Sequence, residues 1–191
     1  MPYPSKINRI AVTDAALALV AREGGEALTL RRLASDLGVT ANALYRYYNR
    51  RDVLVAATAD AVAHRLHAAI ERGMAAVPSD AGAAVRVRAL LDIYASFANA
   101  NPALYGLFLN ASHEAGAGLP QPRYHEKLWD QSLAIIMPLV GEENAPSATV
   151  TMWGMVHGIW SLRLSDVLGG RKPSEIDDYA FDAIIKGLAD N

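Results

Sequence analysis

A short stretch of this sequence, residues 40–51, brings together side chains that can recognise a nucleic acid. Its candidate residues are Thr40, Asn42, Tyr45, Arg46, Tyr47 and Arg51. Guanidinium groups donate hydrogen bonds to guanine or to phosphate, an asparagine amide can pair with adenine, and phenol hydroxyls reach phosphates. A threonine at a helix N-terminus adds a free backbone amide and a favourable dipole for a phosphate oxygen. These residue types therefore predict a DNA-contacting surface.

Two short helices are predicted to position these side chains. Apolar residues recur three and four apart on both sides of Gly38, which is the helical period. Thr29 is predicted to cap a helix over 30–37, and Thr40 to cap a helix that runs to about residue 48. The predicted buried side consists of Leu33, Ala34, Leu37, Val39 and Leu44. This arrangement indicates a helix-turn-helix, whose second helix enters the DNA major groove.

Other chemistry in the sequence is incomplete. His64 and His67 share a helical face, and we find no carboxylate placed to complete a metal site there. His125 and Glu126 begin like a zinc-protease motif, but Trp129 stands where its second histidine belongs. The sequence contains no P-loop, dinucleotide fingerprint, nucleophile elbow or cysteine. We therefore predict a protein that is not an enzyme and that uses no metal and no cofactor.

Composition and charge fit a small soluble protein. The 191 residues are 52% hydrophobic, which is enough for a core, and no apolar run approaches the roughly 18 residues of a membrane span. Residues 1–55 carry eight basic and five acidic residues, whereas the remainder carries ten basic and fifteen acidic ones. A basic end on an acidic body suits contact with a polyanion, although such an imbalance also arises by chance. We expect a cytoplasmic protein.

The whole chain is predicted to be helical. The first helix is expected from Ser5 to just before Gly24, and a long one from about residue 49 until Pro78 stops it. Further helices are expected over 82–100, from Pro102, and over 123–140, 147–168 and 174–189, with a loop at 113–122. The fold prediction is thus all-α, with a three-helix helix-turn-helix head over 1–50 and a helical bundle over 51–191.

The segment from Ile10 to Leu54 resembles the DNA-binding head of the TetR family of bacterial regulators. The resemblance rests on an Ala-rich first helix, the run GGEALTLRRLASDLGVTANALYRYY, and a basic-acidic pair before an aliphatic residue. The family's Leu-Tyr of the recognition helix corresponds to Leu44 and Tyr45. Its closing aromatic, usually Phe, corresponds to Tyr48, and its following Lys corresponds to Arg51. Arginine in place of lysine keeps the charge that holds a phosphate.

The resemblance implies a role for each polar residue of the head. Thr29 and Arg31 would contact phosphates from the helix before the turn, and Arg51 would hold a phosphate at the start of the long helix. The recognition helix would present Thr40, Asn42, Tyr45, Arg46 and Tyr47. Among these, Tyr45 is expected to contact a phosphate, and Asn42 and Arg46 are expected to read bases. The alternative is that they are simply solvated residues, which is also how we interpret Lys6 and Arg9 near the N-terminus.

The remainder of the chain is rich in large, adaptable apolar side chains. In the family this region forms a bundle with an internal pocket, and its last two long helices pair with a second subunit. The segment TMWGMVHGIWSL also resembles a Trp-His-Gly signature of one branch, although three residues separate Trp153 from His157. The candidate ligand-binding residues are Phe97, Tyr105, Phe108, Trp129, Met137, Met152, Trp153 and His157. Ordinary core packing is the competing interpretation for each of them.

These observations predict a homodimeric regulator that binds double-stranded operator DNA. We expect a repressor that a small, largely apolar effector releases from DNA, with a dimer seam over 147–168 and 174–189. Gly154 and Gly158, four residues apart on one face, favour close helix approach in that seam. A ligand-activated regulator remains an alternative. A scaffold that binds ligand but not DNA is another, which the intact polar face of the recognition helix disfavours.

Overall fold

A computed structural model describes residues 7–111, 123–165 and 167–190 of the chain. This part of the chain forms nine α-helices and one 3₁₀ turn, without a strand, which confirms the all-α prediction. The helices are α1 Arg9–Glu23, α2 Leu30–Asp36, α3 Ala41–Tyr45, α4 Arg51–Ala75, α5 Ala83–Ala100, α6 Pro102–Asn110, α7 Tyr124–Val140, α8 Ala145–Leu164 and α9 Pro173–Ala189. The 3₁₀ turn, Gly25–Ala27, lies between α1 and α2.

The chain divides into two compact units. Unit 1 comprises Met1–Arg65 and Asn101–Tyr124, and unit 2 comprises Leu66–Ala100 and His125–Asn191. The head therefore packs together with α6, a helix that comes much later in the sequence. The predicted boundary at residue 50 separates the DNA-binding head from the rest of the chain by function, and it stays a prediction.

The predicted start of α1 and the predicted end of α8 need correction. Helix α1 begins at Arg9, because the side chain of Asn8 accepts a hydrogen bond of 2.8 Å from the Ala11 N–H and so caps the helix. The start predicted at Ser5 is therefore wrong, and Ser5 itself lies outside the described residues, as do Lys6 and the predicted loop at 113–122. Helix α8 ends at Leu164 rather than at residue 168, because the Ser165 N–H and hydroxyl both turn back to the Leu162 carbonyl.

The helix-turn-helix is held by a small buried contact between α2 and α3. Leu33 and Leu44 are completely buried and Ala34 is 2% exposed, as predicted, whereas Leu37 and Val39 are half-buried. The chain reverses between the helices at Gly38, which has a φ of 66°. Helix α3 ends at Tyr45, and beyond it the Leu44 carbonyl accepts from the N–H groups of both Tyr47 and Tyr48, at 2.8 and 3.0 Å. The helix is thus about three residues shorter than predicted.

Four charged residues tie the end of α1 to α2. Arg32 donates to Glu23 at 2.7 Å and to Asp36 at 3.0 Å, while Arg22 donates to Asp36 at 3.0 Å and to Glu23 at 2.9 Å. The hydrogen bonds from Arg32 and Arg22 lower the pKa of Asp36. Exposed ion pairs contribute little one by one, but a closed network of four orients both helices.

Helix α6 packs against α1 and the 3₁₀ turn within unit 1. An added Cβ at Gly25 would lie 3.0 Å from Leu107 Cδ1, so the turn and α6 approach closely. Tyr105 and Phe108 are buried in this unit, with ring centroids 6.1 Å apart. Two of the predicted ligand-binding aromatics therefore belong to the unit that contains the head.

Unit 2 is built from α5, α7, α8, α9 and the end of α4. Arg163, near the end of α8, donates to Asn99 of α5 at 2.9 Å, to the Pro173 carbonyl at 3.0 Å, and to Asp177 of α9. The side chains of Arg163 and Asp177 are only 12% and 15% exposed. Removing one member of such a pair leaves a nearly buried charge uncompensated, so this contact fixes where α8 and α9 meet.

Among the described helices, α4 alone is long and apolar enough to cross a membrane by length and composition, and 44% of its most apolar window is buried inside the protein. Core helices of soluble proteins pass the same test, so this is weak support for a membrane span.

The positive φ at Gly38 leads to a stability prediction. A Gly38→Ala substitution places a Cβ in the left-handed region, so we expect the unfolding free energy to fall by about 1 to 2 kcal/mol. The control is Gly82→Ala, since Gly82 is exposed and has no atom within 4 Å of an added Cβ. Urea unfolding followed by circular dichroism measures both. Equal stability of the two variants would contradict the strain assigned to the turn.

Candidate DNA interface and interior aromatic cluster

Four of the arginines of the head fall into two contrasting groups. Arg22 and Arg32 are neutralised in the network with Glu23 and Asp36. Arg31 and Arg46 are exposed and make no hydrogen bond or ion pair with any residue in the described part of the chain. Only the second group has its full donor capacity available for a partner.

Helix α3, which Arg46 directly follows, presents a polar face to solvent. Asn42 and Arg46 are exposed, and Tyr45 is 50% exposed, which is unusual for a large ring. Thr40 is exposed and does not use its side chain to cap the helix. The structure thus places four of the predicted DNA-binding side chains in solvent within one segment of seven residues, 40–46.

Thr29 and the two last tyrosines of the head have structural contacts. The Thr29 hydroxyl accepts from the Arg32 N–H at 3.1 Å, which is the predicted cap. The Tyr47 hydroxyl donates to the Ile7 carbonyl, so it is engaged inside the protein. Tyr48 is buried, as expected for the closing aromatic, and its hydroxyl lies 3.1 Å from that of Thr13.

Arg51 links the start of α4 to the turn after α1. Its Nε donates to the Leu28 carbonyl at 2.9 Å, and one of its terminal nitrogens donates to the Gly25 carbonyl at 3.3 Å. The same nitrogen lies 4.0 Å from a carboxylate oxygen of Glu26. Its side chain remains 48% exposed. Part of its donor capacity is therefore structural, which sequence reasoning did not predict.

In unit 2, aromatic and polar side chains from three helices form an interior cluster. Trp153 of α8 lies edge-on to Trp129 of α7, with centroids 5.7 Å apart, and near His157 at 6.3 Å. Tyr94 of α5 lies 6.5 Å from the Trp153 ring, and its hydroxyl is 3.4 Å from that of Ser132. Tyr94 and Ser132 are buried and the other three are half-buried; we call these five residues the interior cluster.

Burial keeps the ionisable members of the interior cluster uncharged. Desolvation raises the pKa of Tyr94 to about 12 and lowers the pKa of His157 to about 4. At neutral pH both side chains are therefore neutral. Next to Ser132 on α7, the Gln131 carbonyl oxygen is buried without a hydrogen-bond partner in the described residues. An unsatisfied buried acceptor carries a free-energy cost that a donor could remove.

The structure brings together three of the eight predicted ligand-binding residues, Trp129, Trp153 and His157. Met152 is buried, and Phe97 and Met137 are half-buried, all in unit 2. Sequence reasoning missed Tyr94 and Ser132. A tyrosine within the apolar stripe of α5 was the available signal, since a buried hydroxyl needs a partner.

The two histidines of α4 do not form a metal site. The His64 ring stacks on Tyr124 at 4.0 Å. His67 lies 3.5 Å from a carboxylate oxygen of Glu71, one turn further along α4. Within residues 7–111, 123–165 and 167–190, no group of three His, Asp or Glu side chains could hold a metal ion.

Comparison with known proteins matches both parts of the chain to one family. Residues 12–58 match the description "Bacterial regulatory proteins, tetR family". Residues 87–188 match "Tetracyclin repressor-like, C-terminal domain", which alone covers more than half of the chain. The two matches contain the helix-turn-helix and the interior cluster, respectively.

Individual relatives are similar over almost the whole chain. An uncharacterized HTH-type transcriptional regulator of Mycobacterium tuberculosis is 25% identical over 190 residues, which is 97% of this chain and 79% of that protein. A protein with unknown function from Rhodococcus sp. RHA1 is 27% identical, with a TM-score of 0.75 over 99% of both chains. BioQ, solved with its natural double-stranded DNA operator, shares the fold at 18% identity, with a TM-score of 0.72 over 97% of this chain and 99% of that one. This chain belongs to the TetR family, and it is a DNA-binding transcriptional regulator.

Proposed function

We propose that the protein is a homodimeric repressor that a small, uncharged and largely apolar effector releases from a near-palindromic operator. The DNA-binding part of this proposal rests on Arg31 of α2 and Arg46 directly after α3. Both arginines are exposed, and neither pairs with a residue in the described part of the chain. The interior cluster of unit 2 supports the effector-binding half. Members of the family are generally not enzymes, and we propose that this protein is not one. We propose the cytoplasm as its compartment.

In this proposal the exposed segment of α3 enters the major groove. Asn42 and Arg46 read base edges, and Tyr45 and Arg31 bind phosphates. Thr40 places backbone amides at the helix start near a phosphate. The BioQ structure, solved with operator DNA, supports this assignment by its shared fold alone.

Three further residues are proposed to support the interface rather than to read bases. The Thr29 and Arg51 side chains orient α2 and the start of α4 through their own hydrogen bonds. Their remaining exposed atoms are proposed to contact phosphates, as the family pattern implies. Tyr47 contributes by its ring, since its hydroxyl already binds the Ile7 carbonyl.

We assign the dimer seam to the outer faces of α8 and α9. Helix α8 carries no charged side chain before Arg163, so its outer face consists of small and apolar uncharged residues. Val150 and Leu162 are 59% and 49% exposed, and Tyr179 of α9 is 79% exposed. A helix that is apolar on all sides is normally covered on all sides. A second copy of this chain would provide that cover.

The effector is proposed to bind among the neutral side chains of the interior cluster. Flat apolar molecules stack on indole rings, which Trp129 and Trp153 supply in the cluster. Because Tyr94 and His157 are uncharged at neutral pH, a charged effector would have no counter-ion among them. A neutral effector therefore fits the cluster best.

The proposed regulation follows from linkage between the two sites. Two heads of a dimer engage major grooves about 34 to 36 Å apart. An effector that binds better to a different spacing of the heads weakens DNA binding by the coupling free energy, typically about 1 to 3 kcal/mol. If the effector instead binds better to the head spacing that fits the operator, the same coupling strengthens DNA binding, and the protein is a ligand-activated regulator.

Selection from a random DNA pool tests the proposed function. The purified wild-type protein should enrich an inverted repeat at moderate salt, and adding a neutral aromatic effector should release it. Effector-dependent enrichment would indicate activation instead of repression. Failure to enrich any sequence, with and without effectors and with a folded dimer, would contradict the proposal.

A substitution at Arg46 tests the proposed base contact. On the selected operator, Arg46→Ala should weaken binding by about 1 to 3 kcal/mol and relax the preference at one base pair. The control is Arg50→Ala, which removes the same charge from an arginine paired with Asp52. Binding titrations over a set of single-base operator variants provide the comparison. If both variants lose the same affinity on every sequence, Arg46 does not read a base.

A substitution at Gly158 tests the proposed seam. Gly158 is exposed and has no atom of this chain within 4 Å of an added Cβ, so Gly158→Arg fits the isolated chain. Across a close seam it would bury an unpaired charge, and we expect the dimer dissociation constant to rise on the order of 100-fold. Sedimentation equilibrium measures it, with Gly82→Arg as control. An unchanged dissociation constant would place the seam elsewhere.

The lowered pKa of His157 predicts a pH-dependent stability. Below about pH 6.5 the unfolded chain takes up a proton that the folded chain accepts only near pH 4, so unfolding free energy is lost as pH falls through this window. Between about pH 7.5 and pH 5 this group should cost the wild type at most about 2 kcal/mol. His157→Gln should remove that loss, and His64→Gln should retain it. Identical pH profiles for all three proteins would contradict a buried neutral imidazole.

A further inference from the structure

A small cavity lies where α5, α8 and α9 meet in unit 2. It offers about 10 Å³ of space for the centre of a water-sized sphere, and its lining residues come from these three helices. Ala95 and Ala98 of α5 and Phe181 of α9 form part of its apolar wall. Pockets for organic ligands usually have volumes of about 300 to 1,000 Å³, whereas a cavity of this size holds a single water molecule.

Two charged side chains line the same cavity, Arg163 of α8 and Asp177 of α9. They form an ion pair with each other, and their side chains are only 12% and 15% exposed. One terminal nitrogen of Arg163 donates to Asn99, and the other donates to Asp177 and to the Pro173 carbonyl. Three hydrogen bonds thus hold the guanidinium group in place beside the cavity.

The Nε–H of Arg163 is the donor that these contacts leave over. Arg163 Nε is buried, and it has no hydrogen-bond acceptor among the residues that the structure describes. Leaving a buried donor unsatisfied carries a free-energy cost, which is larger when the donor belongs to a charged group. Proteins usually satisfy such a donor, and a buried water is one of the usual partners.

Asp177 provides a second polar contact at the cavity. Its Oδ1 atom accepts from Arg163, whereas its Oδ2 atom has no hydrogen-bond partner within residues 7–111, 123–165 and 167–190. A buried water needs about two to four polar partners and can accept from one group while it donates to another. A donor and an acceptor on two ion-paired side chains that line a cavity of one-water size meet this requirement.

We propose that this cavity binds one structural water, which accepts a hydrogen bond from Arg163 Nε and donates one to the Asp177 carboxylate. The water completes the hydrogen bonding of the nearly buried ion pair that fixes where α8 and α9 meet. No residue of the interior cluster lines the cavity. The site is therefore independent of the proposed effector and of the proposed operator.

A crystal structure of the full-length protein, at a resolution that shows ordered waters, tests this site. We expect one water at about 2.7 to 3.2 Å from Arg163 Nε. Ala98→Val should remove this water, because the added methyl groups fill the cavity. Ala84→Val makes the same change at an exposed position of α5 and should retain the water.

Nuclear magnetic resonance tests the same site in solution. In the isotope-labelled wild-type protein, the Arg163 Nε–H should show a nuclear Overhauser cross-peak to a long-lived water. Arg163→Lys removes this N–H and should delete the cross-peak, which assigns it. Ala98→Val should delete the cross-peak while the Nε–H signal itself remains.

Each of these measurements can overturn the proposal. A crystal structure without a water at Arg163 Nε, or with Nε donating directly to Asp177, would reject the site. A water that persists in a folded Ala98→Val protein would lie outside this cavity. Absence of the cross-peak in the wild type would reject a long-lived buried water. Should Ala98→Val fail to fold, Ala95→Val replaces it, since Ala95 lines the same cavity and is only half-buried.

Discussion

The buried contact between α2 and α3 is the interaction on which the rest of the head depends. Leu33, Ala34 and Leu44 exclude water from this contact, and Gly38 lets the chain turn tightly enough for the two helices to meet. A helix of five residues would not be stable alone, because isolated helices shorter than about 12 to 15 residues are marginal in water. Helix α3 therefore owes its existence to that packing. Because Leu44 packs against α2, the polar residues of α3 face solvent.

Electrostatics then divides the head into a structural part and an available part. In the network of four residues at the end of α1 and in α2, Arg22 and Arg32 pair with Glu23 and Asp36, and these ion pairs orient α1 against α2. Arg31 immediately precedes Arg32 in sequence but faces solvent without a partner. Neighbouring arginines of identical chemistry thus have different functions, decided by the carboxylates that surround them. In the interior cluster of unit 2, by contrast, burial keeps Tyr94 and His157 uncharged.

The fold was largely predictable because helix period and caps are local signals. The bounds of α5, α7 and α9 lie within one residue of the prediction. Neither the packing of α6 against α1 nor the carbonyl contacts of Arg51 could be read from the sequence, since both join residues more than twenty positions apart. The exposed face of α3 was predictable from the helical spacing of its apolar and polar residues. The division of the predicted ligand-binding residues between two units was not predictable, because the sequence does not show which of two cores an apolar side chain enters.

Hydrogen exchange of the full-length protein, with and without its selected operator, tests the central claim most directly. Short α3 has few internal hydrogen bonds, so its amides should exchange rapidly in the free protein and slowly in the complex. The account predicts operator-dependent protection over residues 40–47 and at the start of α2, near Arg31. Protection that appears elsewhere in the chain, with none over residues 40–47, would contradict it.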